Sequence, residues 1–119
     1  MATEEILAKL WATIESRRTA PTSYTAKLLE NPFNLRNKVI QEAYEVVEAH
    51  QARLARLEAS SVPEEEGLTG FGTRRHITAE TADLLYYLYV LLASLDVTPN
   101  DVYAVLERRH EKWAQPVAE

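Results

Sequence analysis

The chain contains no cysteine. That excludes disulfides, thiolate catalysis and cysteine-ligated zinc, and it fits a reducing compartment. Only three glycines occur in 119 residues, all between positions 67 and 72. No run of β-branched residues alternates with polar ones, which argues against a sheet. Basic residues are outnumbered 13 to 18, for a net charge of -5. Neither nucleic acid nor an anionic membrane surface is therefore an expected partner. Glu4 and Glu5 stand where a signal peptide would carry basic residues. The longest apolar run, Leu84 to Leu95, is far short of the ~20 residues a membrane span needs. The expectation is a soluble, cytoplasmic protein.

What is present is a helical pattern over nearly the whole chain. Apolar residues make up 46% of it, enough for a core, but a chain this short has a poor surface-to-volume ratio that a second copy would relieve. A first helix is expected over residues 3–18, with Thr3 as its N-cap and Glu4 and Glu5 in the favourable first turn. Pro21 breaks it, and "SYTAKLLE" reads as a short second helix. Asn31 caps a third, with Pro32 at its first position, continuing to about residue 59. A proline, a charge run and every glycine mark the next stretch as a loop. A fourth helix is expected over about 77–95. Thr98, Pro99 and Asp101 then open a fifth with a capping-box pattern, Asp in place of Glu, fading near Trp113. The fold expected is all-α: a single domain over 1–119, a bundle of about five helices, with a four-helix core completed by dimerisation.

Two acidic pairs interrupt this pattern. Glu42 and Glu45 sit three apart in "NKVIQEAYEVVEAH", and Glu80 and Asp83 repeat the spacing in "ITAETADLLYYLYVLL". Turning each residue ~100° from the last gathers Leu35, Val39, Ile40, Ala43, Val46 and Val47 on one arc of the third helix, with Glu42 at its edge. On the fourth helix the arc holds Ile77, Thr81, Leu84, Leu85, Leu88, Leu91, Leu92 and Leu95, with Glu80 and Asp83 just outside it. Residues three apart have Cβ atoms ~5–6 Å apart. If the two helices pack, four carboxylates converge. Such carboxylates repel and raise one another's pKa, and a hard divalent cation removes the conflict. Magnesium takes oxygen ligands and commonly bridges to substrate phosphates, which suits hydrolysis of a phosphoanhydride. The same spacing equally describes acids that are simply solvated at the border of an amphipathic helix.

Of the other candidates, His50, His76 and His110 form no H-x-x-x-H pair and read as structural or surface residues. Trp11 and Trp113 read as packing anchors. Tyr86, Tyr87 and Tyr89 suggest an interface with hydroxyls at its wet edge, and Tyr87 borders the acidic pair closely enough to contact a substrate.

Taken together, "RRTAPTSYTAKLL", "KVIQEAYEVVEA" and "AETADLLYYLYVLLASLDVTPNDVYAVLERR" resemble the phosphoribosyl-ATP pyrophosphatase family of histidine biosynthesis, over roughly residues 7–109. That family belongs to a wider all-α group of nucleoside triphosphate pyrophosphohydrolases sharing E-x-x-E and E-x-x-D. The resemblance implies magnesium-dependent hydrolysis of phosphoribosyl-ATP between its α- and β-phosphates, giving phosphoribosyl-AMP and pyrophosphate. It implies a homodimer, and phosphoribosyl-AMP cyclohydrolase, sometimes fused to this enzyme, as a further partner. Carried over by position, Glu42, Glu45, Glu80 and Asp83 become the metal ligands and catalytic residues. Lys27 and Lys38 face phosphate oxygens as point charges, Ser23 and Tyr24 shape the nucleotide site, and Arg18 is a candidate for a terminal phosphate. Two departures stand out. Gln41 replaces a family Glu, keeping an acceptor but losing a charge. Thirty-four residues separate Glu45 from Glu80, so about 52–75 reads as a loop insertion, inert on its surface. The runner-up readings are a house-cleaning pyrophosphohydrolase acting on another nucleoside triphosphate, and a catalytically silent helical dimer.

Overall fold

The computed structural model describes residues 4–59 and 70–116. Among them are five helices and no strand: α1 (Glu4–Arg17), α2 (Tyr24–Glu30), α3 (Pro32–Ala59), α4 (Arg74–Ala93) and α5 (Pro99–Trp113). None is long and apolar enough to cross a membrane. The expected all-α fold of five helices is therefore observed. Thr3, expected to cap α1, lies outside the described residues.

Local chemistry sets the helix starts. Ser23 Oγ accepts from the Ala26 N–H at 3.0 Å and donates to the Arg17 carbonyl at 2.7 Å, so one side chain caps α2 and ties it to the end of α1. Asn31 Oδ1 accepts from the Asn34 N–H at 3.1 Å to open α3. Thr98 and Asp101 form the reciprocal capping box expected for α5. α4 begins three residues earlier than expected, because Thr73 Oγ1 accepts from the His76 N–H at 3.1 Å and donates to the Gly70 carbonyl at 2.8 Å. It ends early as well. Asp96, at φ 56, turns the chain left-handed, and the Asp96 and Val97 N–H groups close onto the Ala93 and Leu92 carbonyls in a Schellman arrangement.

α3 and α4 form the central packed pair, with α1 and α2 laid against α4. The core joins Ile14, Leu28, Leu35, Tyr89, Val90 and Ala93. Trp11 borders it and meets the Tyr89 ring edge-on at 6.1 Å, as an anchor should. Trp113 does not: it is exposed.

Which faces are buried differs from the helical-wheel expectation. On α3 the buried line is Leu35, Glu42 and Ala49, seven apart, so Glu42 sits in the middle of the packed face and not at its edge. Ile40 and Val47, expected with the core, are exposed. On α4 the buried residues are Tyr89, Val90 and Ala93, while Leu85 and Leu88, and Leu95 just past its end, are exposed. The reason is shared. Both helices are apolar on more than one side, so a wheel cannot tell the side that packs within the chain from the other.

α3 continues through Ala59 and α4 starts at Arg74, so eight residues at the start of the expected 52–75 loop, and two at its end, are helical. Residues 60–69 lie outside the described residues. The returning segment packs on α3 through Gly72. Its φ is +83°, and a Cβ there would meet the Ala52 carbonyl oxygen at 2.9 Å, so no other residue fits without displacement.

Candidate metal centre

The packing of α3 on α4 brings the acidic pairs together. Carboxylate oxygens of Glu42, Glu80 and Asp83 all lie within 4.8 Å of one another. Glu45, one turn beyond Glu42, is near enough to both Glu42 and Glu80 for their carboxyls to interact. Its Oε1 also accepts from Gln41 Nε2 at 3.2 Å. The amide at position 41 thus donates to a member of the cluster where a Glu could not.

The electrostatics follow from this crowding. Glu42 is pushed up to about 7, first by its hydrogen bond with Glu45, then by burial and the Glu45 and Asp83 charges, with Lys38 opposing. Glu45 is held below the usual carboxylate range, chiefly by the same hydrogen bond. One partner is raised and the other lowered, as two carboxyls close enough to titrate as a pair require. Glu80 is raised, first by burial and then by Glu45 and Asp83.

Among the described residues, two buried side-chain oxygens have no protein partner: Glu42 Oε2 and Glu80 Oε2 are buried without a hydrogen bond. A buried carboxylate oxygen left bare costs on the order of 1–3 kcal/mol or more. The donor set is entirely carboxylate oxygen, which suits a hard cation of the magnesium or calcium kind and not zinc or copper. The residues present therefore fit a divalent cation.

The remaining sequence candidates divide into two groups. Lys38 stands beside the cluster. It is one turn before Glu42, its charge opposes the rise in the Glu42 pKa, and its Nζ sits 5.5 Å above the Tyr87 ring. Tyr87 in turn shares a 2.7 Å hydroxyl contact with Tyr24, and burial pushes its phenol well above the usual range. Tyr24 stacks on Tyr86 at 6.4 Å, and Tyr86 bonds Thr25 at 2.8 Å. These contacts pin α2 against α4 and place Tyr24 at the rim of the site. Lys27, on the same short helix, is exposed. Ser23 is engaged as the α2 cap. Arg18 is placed elsewhere: it donates to the Ala93 carbonyl at 3.2 Å and pairs with Glu15 at 3.0 Å and Asp96 at 3.5 Å. Ala93 is ten residues along α4 from Asp83, about 15 Å.

His76, expected to be structural or a surface residue, lies with Nε2 3.7 Å from Glu80 Oε1, a neighbour that the i, i+4 spacing signals. The α4 cap at Thr73 goes beyond the expected helix start, although a Thr three residues before the N–H it caps is an ordinary start signal.

Facing carboxylate pairs on two packed helices define an all-α protein whose acidic cluster could hold a metal ion. Comparison with known proteins narrows that class. The family description "Phosphoribosyl-ATP pyrophosphohydrolase" matches residues 7–110, and the chain belongs to that family. It is similar to the phosphoribosyl-ATP pyrophosphatase of Dinoroseobacter shibae, 38% identical over 87% of this chain and 86% of the relative. The Rhodospirillum rubrum protein of the same name is 41% identical over 88% of this chain and 76% of the relative. The histidine biosynthesis bifunctional protein HisIE of Caldanaerobacter subterraneus is 35% identical over 91% of this chain, which spans 45% of that longer protein. No solved structure matches the chain significantly.

Proposed function

We propose that this chain hydrolyses phosphoribosyl-ATP to phosphoribosyl-AMP and pyrophosphate, in histidine biosynthesis, with magnesium held by Glu42, Glu45, Glu80 and Asp83. The observation that carries the metal reading is the pair of buried, unpartnered oxygens on Glu42 and Glu80. Family membership carries the reaction. When bound, magnesium would lower the pKa of a coordinated water and offset charge on the phosphates. The chain's own residues do the rest. Glu42 is raised by its neighbours, and a cation in the cluster would favour its ionised form. Lys38 and Lys27 offer point charges to phosphate oxygens. Tyr24, held by Tyr87, forms one wall of the nucleotide site, and Ser23 fixes the helix that carries it.

The same reading includes a homodimer within a single domain, working in the cytoplasm. Phe33, Ile40, Tyr44 and Val47 form an exposed apolar stripe on α3, on the side away from Glu42, and Leu85 and Leu88 are exposed on α4. A second copy covering them completes a four-helix core. Phosphoribosyl-AMP cyclohydrolase, which would take the product, is the candidate partner beyond the dimer. No side chain of the insertion takes part in the chemistry.

The deciding experiment is a pyrophosphate-release assay with magnesium, comparing phosphoribosyl-ATP with ATP and dUTP. Turnover of phosphoribosyl-ATP well above the others is expected. Preference for ATP or dUTP would move the chain to the house-cleaning branch.

A further inference from the structure

His76 lies in the first turn of α4, between the segment returning to α3 and the acidic cluster. Its Nδ1 accepts a hydrogen bond from the Gly72 backbone N–H at 3.1 Å. An amide N–H only donates, so Nδ1 must present its lone pair, and the ring proton sits on Nε2. That Nε2 lies 3.7 Å from Glu80 Oε1. The separation exceeds a hydrogen bond, and a shift of about 0.8 Å would make one. The other oxygen of the same carboxylate, Oε2, is the buried one without a partner. The two side chains are only 16% and 21% exposed, and the Phe71 ring lies 4.7 Å from the imidazole, so neither is free to swing into solvent. Gly72 is itself fixed: its left-handed φ and its approach to Ala52 leave no room for a Cβ. A continuous path therefore runs from the α3 backbone through Gly72 and His76 to Glu80.

We propose that His76 is the positioning residue for Glu80. Gly72 selects the tautomer with its proton on Nε2. That N–H is directed at Glu80 Oε1 and turns Oε2 into the cluster. Carboxylates that ligate metals are commonly oriented by such a donor, and losing it costs about 10–100-fold in metal affinity. The inference rests on the metal reading above, and it assigns to the segment before α4 a role in that site.

The test is magnesium binding by titration calorimetry, with thermal unfolding and imidazole 15N shifts measured alongside. His76→Phe keeps a ring against Phe71 but has no donor. His76→Gln places an amide N–H near the Nε2 position. The expected result is about 10-fold or greater weakening in His76→Phe, recovery of most of the affinity in His76→Gln, and wild-type 15N shifts of the Nε2–H tautomer. Unchanged affinity in His76→Phe overturns the inference and leaves the metal site standing. So does the opposite tautomer, or equal weakening in both variants with equal loss of melting temperature, which marks a packing role. Failure of the wild-type protein to bind magnesium overturns the metal reading and this inference with it.

Discussion

Glu42 and Glu80 bring carboxylate oxygens together from α3 and α4, and each keeps its Oε2 buried with no hydrogen-bond partner. A fold gains nothing from that arrangement without a cation, so function and stability oppose each other here. Glu42→Gln removes one charge, leaves the volume unchanged and can still donate to Glu45. Turnover is expected to fall by orders of magnitude, while the metal-free protein becomes more stable, by about 1 kcal/mol, above pH 7. Urea denaturation in EDTA beside the pyrophosphate assay checks both. A variant with normal turnover would remove Glu42 from the ligand set.

Much of this site is legible in the sequence because helix geometry is local. Three-residue spacing puts Glu42 beside Glu45 and Glu80 beside Asp83 whatever the tertiary fold, and the Thr98–Asp101 and Asn31–Pro32 caps are equally local. Burial is not. Ile40 and Val47 look like core residues on a wheel, but the face that meets α4 carries Glu42, and only the partner helix decides which apolar side is covered. The hydroxyl pairs Tyr24–Tyr87 and Tyr89–Tyr103 join residues 63 and 14 positions apart, so no local pattern announces them. The Gly72–His76 contact is close in sequence, yet it depends on a left-handed glycine clamped against α3.

The pKa of Glu42, raised from 4.5 to about 7, predicts how stability varies with pH. A carboxyl with its folded pKa above its unfolded value favours the folded state while protonated. Its contribution is fully present below about 4.5 and is lost as pH rises through about 7. Glu80 shifts in the same direction. Glu45, shifted down, works the other way: its contribution is present above its unfolded value and lost as pH falls. The stability of metal-free wild type relative to Glu42→Gln should fall by about 1–3 kcal/mol between pH 4.5 and 8, and saturating magnesium should abolish the fall. A flat difference would show that the Glu42 pKa is not raised in the folded protein.

Arg18 ties the end of α1 to the last turn of α4, where a cation also complements the helix dipole. Arg18→Gln is expected to cost about 1 kcal/mol of stability, with the KM for phosphoribosyl-ATP unchanged. Thermal unfolding and saturation kinetics decide the matter. A normal melting temperature with a raised KM would return Arg18 to the phosphate contact that its sequence position suggested.

Ile40 and Val47 stand seven residues apart on the exposed face of α3. Replacing either with Asp costs the single chain little, since both side chains are already exposed. It would, however, bury an unpaired charge in the proposed dimer. Sedimentation velocity should show dimer for the wild type and monomer for Ile40→Asp and Val47→Asp, with helical content retained. Dimers that persist in both variants would place the interface on another surface.

Lys27 offers a clean test of substrate contact because it is exposed on α2, where truncation removes no packing. Lys27→Ala should leave the melting temperature unchanged and raise the KM several-fold. A point charge on a phosphate is screened by salt, so the gap between wild type and variant should narrow as ionic strength rises. Lys38→Ala makes the contrast. Lys38 is half-buried over the Tyr87 ring and offsets the acidic cluster, so its loss should also raise the apparent pKa of Glu42 and lower kcat. Identical kinetics for wild type and Lys27→Ala at low salt would remove α2's lysine from the phosphate contacts.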